Sequence, residues 1–124
     1  MREDSSRQVA LRAAKAALEK KAGDVVILTL KALTIIADYF VIASATSEPH
    51  MRAVLEEVTE KLEQEHGLRP YGVDGHQATG WVVLDYFDVI VHIMRQDVRQ
   101  HYDLESLWGD APRVGTRRRR KVTL

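Results

Sequence analysis

Two uninterrupted β-branched runs constrain what this 124-residue chain can fold into more than any other feature. Val25-Val26-Ile27-Leu28-Thr29-Leu30 and Tyr39-Phe40-Val41-Ile42-Ala43-Ser44 carry almost no polar position. Each is too short for a buried helix, and a strand that is apolar along its length must be covered on both sides. The chain therefore has to supply helices, or further side chains, above and below a sheet in which these two runs are central.

The helices are legible in the same way. Residues 5–22 hold alanines at 10, 13, 14, 16 and 17, with Ser5 or Ser6 to cap the start. Alanine has the highest helix propensity and serine is a good N-cap. Val9, Ala13 and Leu18 give a weak apolar stripe, and Gly23 is placed to end the helix. From about Glu48 to His66, Met51, Val54, Leu55, Val58 and Leu62 fall on one face, opposite a run of glutamates. Ser47 suits the cap, Pro49 the first turn and Gly67 the stop. A strand is expected near residues 69–74, then a polar loop from Gly75 to Gly80. Trp81 to Asp85 and Val89 to Met94 read as a hairpin, and residues 98–108 as a short final helix stopped by Gly109 and Pro112. The order α-β-β-α-β-β-β-α predicts one α/β (α+β) domain, a mixed sheet of about five strands flanked by helices. The domain is expected over residues 1–112, followed by a disordered basic tail over 113–124, where apolar periodicity ends.

Composition narrows the function classes. The hydrophobic fraction of 45% and charged fraction of 29% are those of an ordinary globular domain. No apolar run is long enough to span a bilayer, and the N-terminus has no secretory pattern. No membrane role and a cytoplasmic location are the expectations. With no cysteine, disulfides and thiolate metal sites are excluded. The formal net charge of zero hides a division. Residues 1–112 carry twelve Lys and Arg against eighteen Asp and Glu, a formal −6, and residues 113–124 carry six basic groups and no acid. An acidic body steers toward a basic partner, and Arg117 to Lys121 suits RNA phosphates.

Catalytic chemistry finds little support. His50, His76 and His92 with Asp85 and Asp88 are the candidate metal ligands, but none has the paired spacing of a metal motif. The Ser44 to Glu48 turn has no glycine or lysine, so it is neither a phosphate loop nor a nucleophile elbow. Trp81, Tyr86, Tyr102 and Trp108 are more informative, interleaved with Asp85, Asp88, Asp103 and Glu105. Large aromatics beside acids are typical interface anchors, although the same residues also pack hairpins against helices. Alternation puts Trp81, Val83 and Asp85 on one face of their strand, and Val82 and Leu84 on the other.

These segments resemble a known family. Asp38-Tyr39-Phe40-Val41-Ile42, Ser44 to Ser47 and His50 resemble the stretch D-x-F-V-I-x-T-G-x-S-x-x-H of the ribosomal silencing factors (RsfS/Iojap). Asp74-Gly75 resembles their E-G pair. Trp81 to Tyr86 with Asp88 to His92 resembles their W-V-L-L-D-Y-G-D-V-V-V-H core. Arg99 with Tyr102 to Trp108 resembles their R-x-x-Y-x-L-E-x-L-W ending. The resemblance covers residues 8 to 111. Ala45, Phe87 and Asp74 depart from the family's usual Gly, Gly and Glu.

The resemblance implies a nucleotidyltransferase-like fold without catalytic carboxylates, and no cofactor or metal. It implies binding to large-subunit ribosomal protein fourteen, a steric block to subunit joining when nutrients are short, and a homodimer in the free state. The aromatic and acidic patch then gives the expected partner-binding residues, Trp81, Asp85, Tyr86, His92, Tyr102, Glu105 and Trp108, with Trp81 and Tyr86 as apolar anchors, Asp85 and Glu105 pairing with partner cations, and His92 and Trp108 the two of the set most expected to be structural. Two other readings remain: a nucleotidyltransferase-fold enzyme or metal hydrolase using Asp85, Asp88 and His92, and an RNA-binding module led by the tail.

Overall fold

A computed structural model of the chain describes residues 2–34, 36–107, 109 and 111–114. The elements are α1 (Arg2–Glu19), β1 (Gly23–Thr29), β2 (Tyr39–Ala45), α2 (Glu48–His66), β3 (Gly72–His76), β4 (Trp81–Asp85), β5 (Val89–Arg95), α3 (Gln96–Tyr102) and α4 (Leu104–Leu107). A single 3₁₀ turn, Gln77–Thr79, joins β3 to β4.

The five strands form one sheet in the order β1-β2-β5-β4-β3. β2 and β5 run parallel, and the other three pairs are antiparallel. Of the two apolar runs expected to be central, only β2 is flanked on both sides, and every one of its residues is buried, as the absence of a polar face demands. β1 is an edge strand, its apolar residues covered by the helices and by the chain near Arg113 and not by a second neighbouring strand.

One face of the sheet is covered by α1 and α2. Val25, Ile27, Tyr39, Val41, Ala43, Val82, Leu84, Val91 and Ile93 point into this layer against Met51, Val54, Val58 and Leu62 of α2. The alanines that favour a helix at 10, 13, 14, 16 and 17 are also its buried stripe. Their small side chains let α1 lie close to both the sheet and α2. Arg12 bridges the two helices through Glu65, Nε donating to Oε1 at 2.8 Å. The second face holds a smaller core, Leu28, Leu30, Phe40, Ile42, Met94 and Leu104, under α3 and α4.

α2 starts and stops as its sequence predicts. The Ser47 hydroxyl accepts from His50 N–H, and Gly67 adopts φ 66° and closes the end. α1 stops differently. Lys21, not Gly23, takes the left-handed position at φ 62°, with Ala22 N–H reaching Ala17 C=O and Lys21 N–H reaching Leu18 C=O. This is a Schellman end, which freed Gly23 to begin β1. His50, one of the candidate metal ligands, instead ties this end to α2. Its Nε2 lies 2.7 Å from Lys20 C=O, and its Nδ1 accepts from Thr46 N–H at 3.0 Å.

Three expected boundaries move. The strand expected near 69–74 is Gly72–His76, and it absorbs part of the expected loop. Gly75 makes this pairing possible: at φ 85°, a Cβ there would lie 2.0 Å from Trp81 C=O. The expected final helix is two short ones, broken where Asp103 turns left-handed at φ 46°. The chain also stays ordered past residue 112. Thr29 N–H donates to Pro112 C=O and Val114 N–H to Ile27 C=O, so Arg113 bridges Leu28 on the edge of β1. Residues 115–124 of the expected tail lie outside the described residues.

Candidate docking face

The second face of the sheet changes character across its width. It is closed where α3 packs on β2 and β5 and where Leu104 and Ala111 cluster with Leu28, Leu30 and Ile42. Toward β4 it opens, and Trp81, Val83 and Asp85 of β4 and Ile90 of β5 are all only partly buried. The alternation read from sequence holds here, since Val82 and Leu84 face α1 and α2 while Trp81, Val83 and Asp85 face the other way. The register sets Val83 opposite His92, Trp81 opposite Met94, and Asp85 opposite Ile90.

Three of the expected site residues meet on this face. The Trp81 indole Nε1–H donates to His92 Nδ1 at 3.1 Å. The Tyr102 ring, carried by the last residue of α3, lies 5.1 Å from the Trp81 ring. Phe40 closes the other side of His92 with ring centroids 4.6 Å apart. His92 is 6% exposed, whereas Tyr102 is 57% exposed, so the cluster runs from a buried base to a solvent-facing rim. Burial pushes the His92 imidazole down to about 4. A neutral ring whose Nδ1 accepts from an indole must carry its proton on Nε2, and this Nε2 is buried with no hydrogen-bond partner among the described residues.

The remaining four expected residues are placed elsewhere or otherwise engaged. Asp85 shares the face, two positions along β4 from Val83, with Oδ1 accepting the Phe87 N–H at 2.7 Å. Tyr86 is not on the face. It is buried among the residues under α1 and α2, which removes it as an apolar surface anchor. Glu105 does not offer a free carboxylate, because its two oxygens accept from Arg99 Nε at 3.1 Å and Arg99 Nη2 at 2.8 Å. Trp108 lies outside the described residues.

Sequence reasoning missed the role of Arg99. It is 7% exposed, and besides Glu105 it donates from Nη1 to Ser44 Oγ at 2.8 Å. The residue therefore joins α3 and α4 to the end of β2 and sets where Tyr102 sits. A fixed guanidinium fork bound to both carboxylate oxygens suits this positioning task. Ile90 was also missed as a face residue, although the period-2 rule that grouped Trp81, Val83 and Asp85 on β4 reaches it on β5. Candidate metal ligands do not assemble: among the described residues, no three of His, Asp or Glu converge on a common point. No described helix is long and apolar enough to cross a membrane.

Fold and face together define a class: one-domain α+β proteins whose mixed five-stranded sheet is helix-covered on one side and carries a partly open aromatic face on the other. The family model described as ribosomal silencing factor during starvation matches residues 3–123. The chain is 39% identical over 110 residues to ribosomal silencing factor RsfS of Halalkalibacterium halodurans, covering 89% of this chain and 93% of that protein. It is 36% identical over 100 residues to RsfS of Bacillus subtilis, covering 81% and 84%. It is 31% identical over 105 residues to chloroplastic protein Iojap of Arabidopsis thaliana, covering 85% of this chain and 43% of that longer protein. Crystal structures of a Chromobacterium violaceum protein (TM-score 0.78, 33% identity, 83% and 85% covered) and a Bacillus halodurans protein (TM-score 0.75, 34% identity, 89% and 99% covered) share the fold. This chain belongs to the ribosomal silencing factor family.

Proposed function

We propose that this chain docks on the large ribosomal subunit through the partly open face of its sheet, and that its bulk there keeps the small subunit from joining, so that translation falls when nutrients are short. The observation that carries this reading is the Trp81–His92–Tyr102 cluster beside Asp85, a rigid aromatic patch with an acid at its edge. Anchors of this kind concentrate binding energy when the patch is preorganised, and a steric wedge needs affinity and bulk rather than chemistry. The proposed partner on the subunit is large-subunit ribosomal protein fourteen, a basic protein. The −6 body of this chain would be steered toward it, with Asp85 meeting a cation. By the same family resemblance we read the free protein as a cytoplasmic homodimer without catalytic activity or cofactor. The basic residues Arg117 to Lys121 are read as an added contact to ribosomal RNA.

The test is co-sedimentation with isolated large subunits, followed by addition of small subunits. Wild type is expected to sediment with large subunits and to lower re-association, and Trp81→Ala/Asp85→Ala to do neither while keeping its circular dichroism spectrum. Wild type left in the supernatant at micromolar concentration would overturn the reading. Removal of residues 115–124 separates the tail: binding that loses its salt dependence in the truncated chain assigns the RNA contact to it, and unchanged binding removes that contact from the proposal.

A further inference from the structure

The sheet has two outer edges, and the chain treats them differently. Pro112 and Val114 hydrogen-bond along the outer side of β1, to Thr29 and Ile27. Among the described residues, no segment pairs with the outer side of β3. An unpaired edge is a template for another strand, and proteins usually blunt it with lysine, proline or a covering segment. β3, Gly72-Val73-Asp74-Gly75-His76, holds no lysine, arginine or proline, and every one of its residues is exposed.

Exposed apolar side chains stand beside this edge. Val73 is opposite Leu84 of β4, so it and Tyr71 lie on the α1 and α2 side of the sheet, away from Trp81, Val83 and Asp85. Val73 is 55% exposed and Tyr71 78%. Phe87, 67% exposed, packs edge-on against Tyr71 with ring centroids 5.4 Å apart. A strand edge without a neighbour and apolar side chains without cover thus coincide.

We infer that two copies of this chain pair through the free edges of their β3 strands, antiparallel and centred on Val73, so that two five-stranded sheets become one. The inference rests on the homodimer reading above and goes further by naming the surface and the register. In this register Val73 meets Val73 of the second copy, Asp74 falls opposite Gly72, and Tyr71 falls opposite Gly75. Each larger side chain therefore lies across from a glycine or an apolar equal, and an aromatic ring over an edge glycine covers backbone that the glycine leaves bare. A register centred on Asp74 would set two carboxylates face to face, and one centred on Gly72 would bring Pro70, which has no N–H, into the ladder. An antiparallel pair of identical strands is two-fold symmetric, so a second copy is the occupant whose pattern matches this edge by construction. The axis crosses the sheet, so the open faces of both copies lie on the same side and neither is covered.

The experiment measures sedimentation velocity of free wild type, Val73→Lys, Val73→Cys, Ile36→Cys and Trp81→Ala, with the circular dichroism spectrum of each. The affinity of wild type and Val73→Lys for isolated large subunits is measured beside it. Val73→Lys puts a charge on the edge and leaves the core alone, so its spectrum is expected to hold while self-association weakens about tenfold or more. Its affinity for large subunits should match wild type. The chain has no cysteine of its own, so Val73→Cys under mild oxidation should cross-link into a covalent dimer. Directly opposed Cβ atoms lie about 5 Å apart, within reach of a disulfide after a small shift. Ile36→Cys, similarly exposed at 60%, should not cross-link. A Val73→Lys chain as dimeric as wild type, or a Val73→Cys chain that cross-links no better than Ile36→Cys, overturns the inference and leaves the homodimer to another surface. Self-association lost in Trp81→Ala and kept in Val73→Lys overturns it by giving the dimer to the open face. Loss of large-subunit binding by Val73→Lys, with self-association intact, overturns it by giving the edge to the ribosomal partner. Wild type that sediments as a monomer at micromolar concentration removes both the inference and the homodimer reading.

Discussion

The indole of Trp81 donates its only hydrogen bond to His92, its diagonal neighbour on β5, with Nε1 and Nδ1 3.1 Å apart. Cross-strand neighbours of this kind are the unit in which a sheet is stabilised. The bond fixes the rotamer of the largest side chain on the open face, and it fixes the histidine tautomer with the proton on Nε2. The pair makes the face rigid before any partner arrives, at the expense of an imidazole that cannot readily be charged.

Acid should therefore weaken the fold through His92. Burial holds the imidazole at about 4, against an ordinary 6.5. The unfolded chain takes up a proton below 6.5 and the folded one does not until about 4. Stability from this group is complete above 6.5, declines as pH falls from 6.5 to 4, and changes no further below. One such buried group is worth on the order of 3 kcal/mol across the window. His92→Gln keeps an acceptor for the indole but does not titrate. Urea melts of both proteins through the window should show the wild-type stability falling relative to the variant as pH drops. A constant difference would mean that the ring is solvated or charged in the folded state.

Arg99 should be among the most sensitive positions outside the two cores. Arg99→Ala removes the Ser44 and Glu105 bonds and strands a carboxylate whose side chain is only 22% exposed. The expected loss is roughly 3 kcal/mol, because an unpaired, largely buried charge costs more than the pair contributes. Glu105→Ala added to it should return part of that loss. The double-mutant cycle in urea denaturation is expected to give a coupling of about 1 kcal/mol or more. Strict additivity would mean that the two residues act independently.

Tyr86 offers the opposite behaviour. Its hydroxyl is buried with no hydrogen-bond partner among the described residues, and burial, followed by the negative charge of Glu63, pushes it up to about 12. Tyr86→Phe deletes an unsatisfied polar atom and keeps the ring in the core, so stability should hold or rise by up to about 1 kcal/mol. In wild type the unfolded chain loses this phenolic proton near 10 and the folded chain only near 12, so stability falls as pH rises through that range. The variant should lack this component. Ultraviolet phenolate titration should show one of the four tyrosines ionising late in wild type and no late tyrosine in the variant. A variant destabilised by several kcal/mol would show that the hydroxyl has a partner.

Much of the candidate site was legible in local patterns. The face shared by Trp81, Val83 and Asp85 followed from strand periodicity, and the same parity puts Tyr86 with Val82 and Leu84. Reading Tyr86 as a surface anchor set chemical type above parity, and parity won because β4's alternation continues into the first residue of the turn. Glu105 was illegible for another reason. It lies six residues from Arg99 across the break at Asp103, so the pair has no helical spacing to betray it. Lys21 displaced Gly23 as the stop of α1 because the required left-handed residue is fixed by where the last hydrogen bonds fall, not by which residue tolerates the conformation best.

The sequence by itself determined which segments are strands and helices, the cap and stop of α2, and the two faces of β4, because each depends on a period of two or 3.6 residues or on a local hydrogen bond. Only the tertiary structure decided that β5 lies between β2 and β4, that α3 and α4 close one half of a face and leave the other open, and that Arg99 takes the Glu105 carboxylate. Those outcomes turn on which distant surfaces meet when the sheet closes, and on which buried charges must then find a partner, and no periodicity in the chain encodes either.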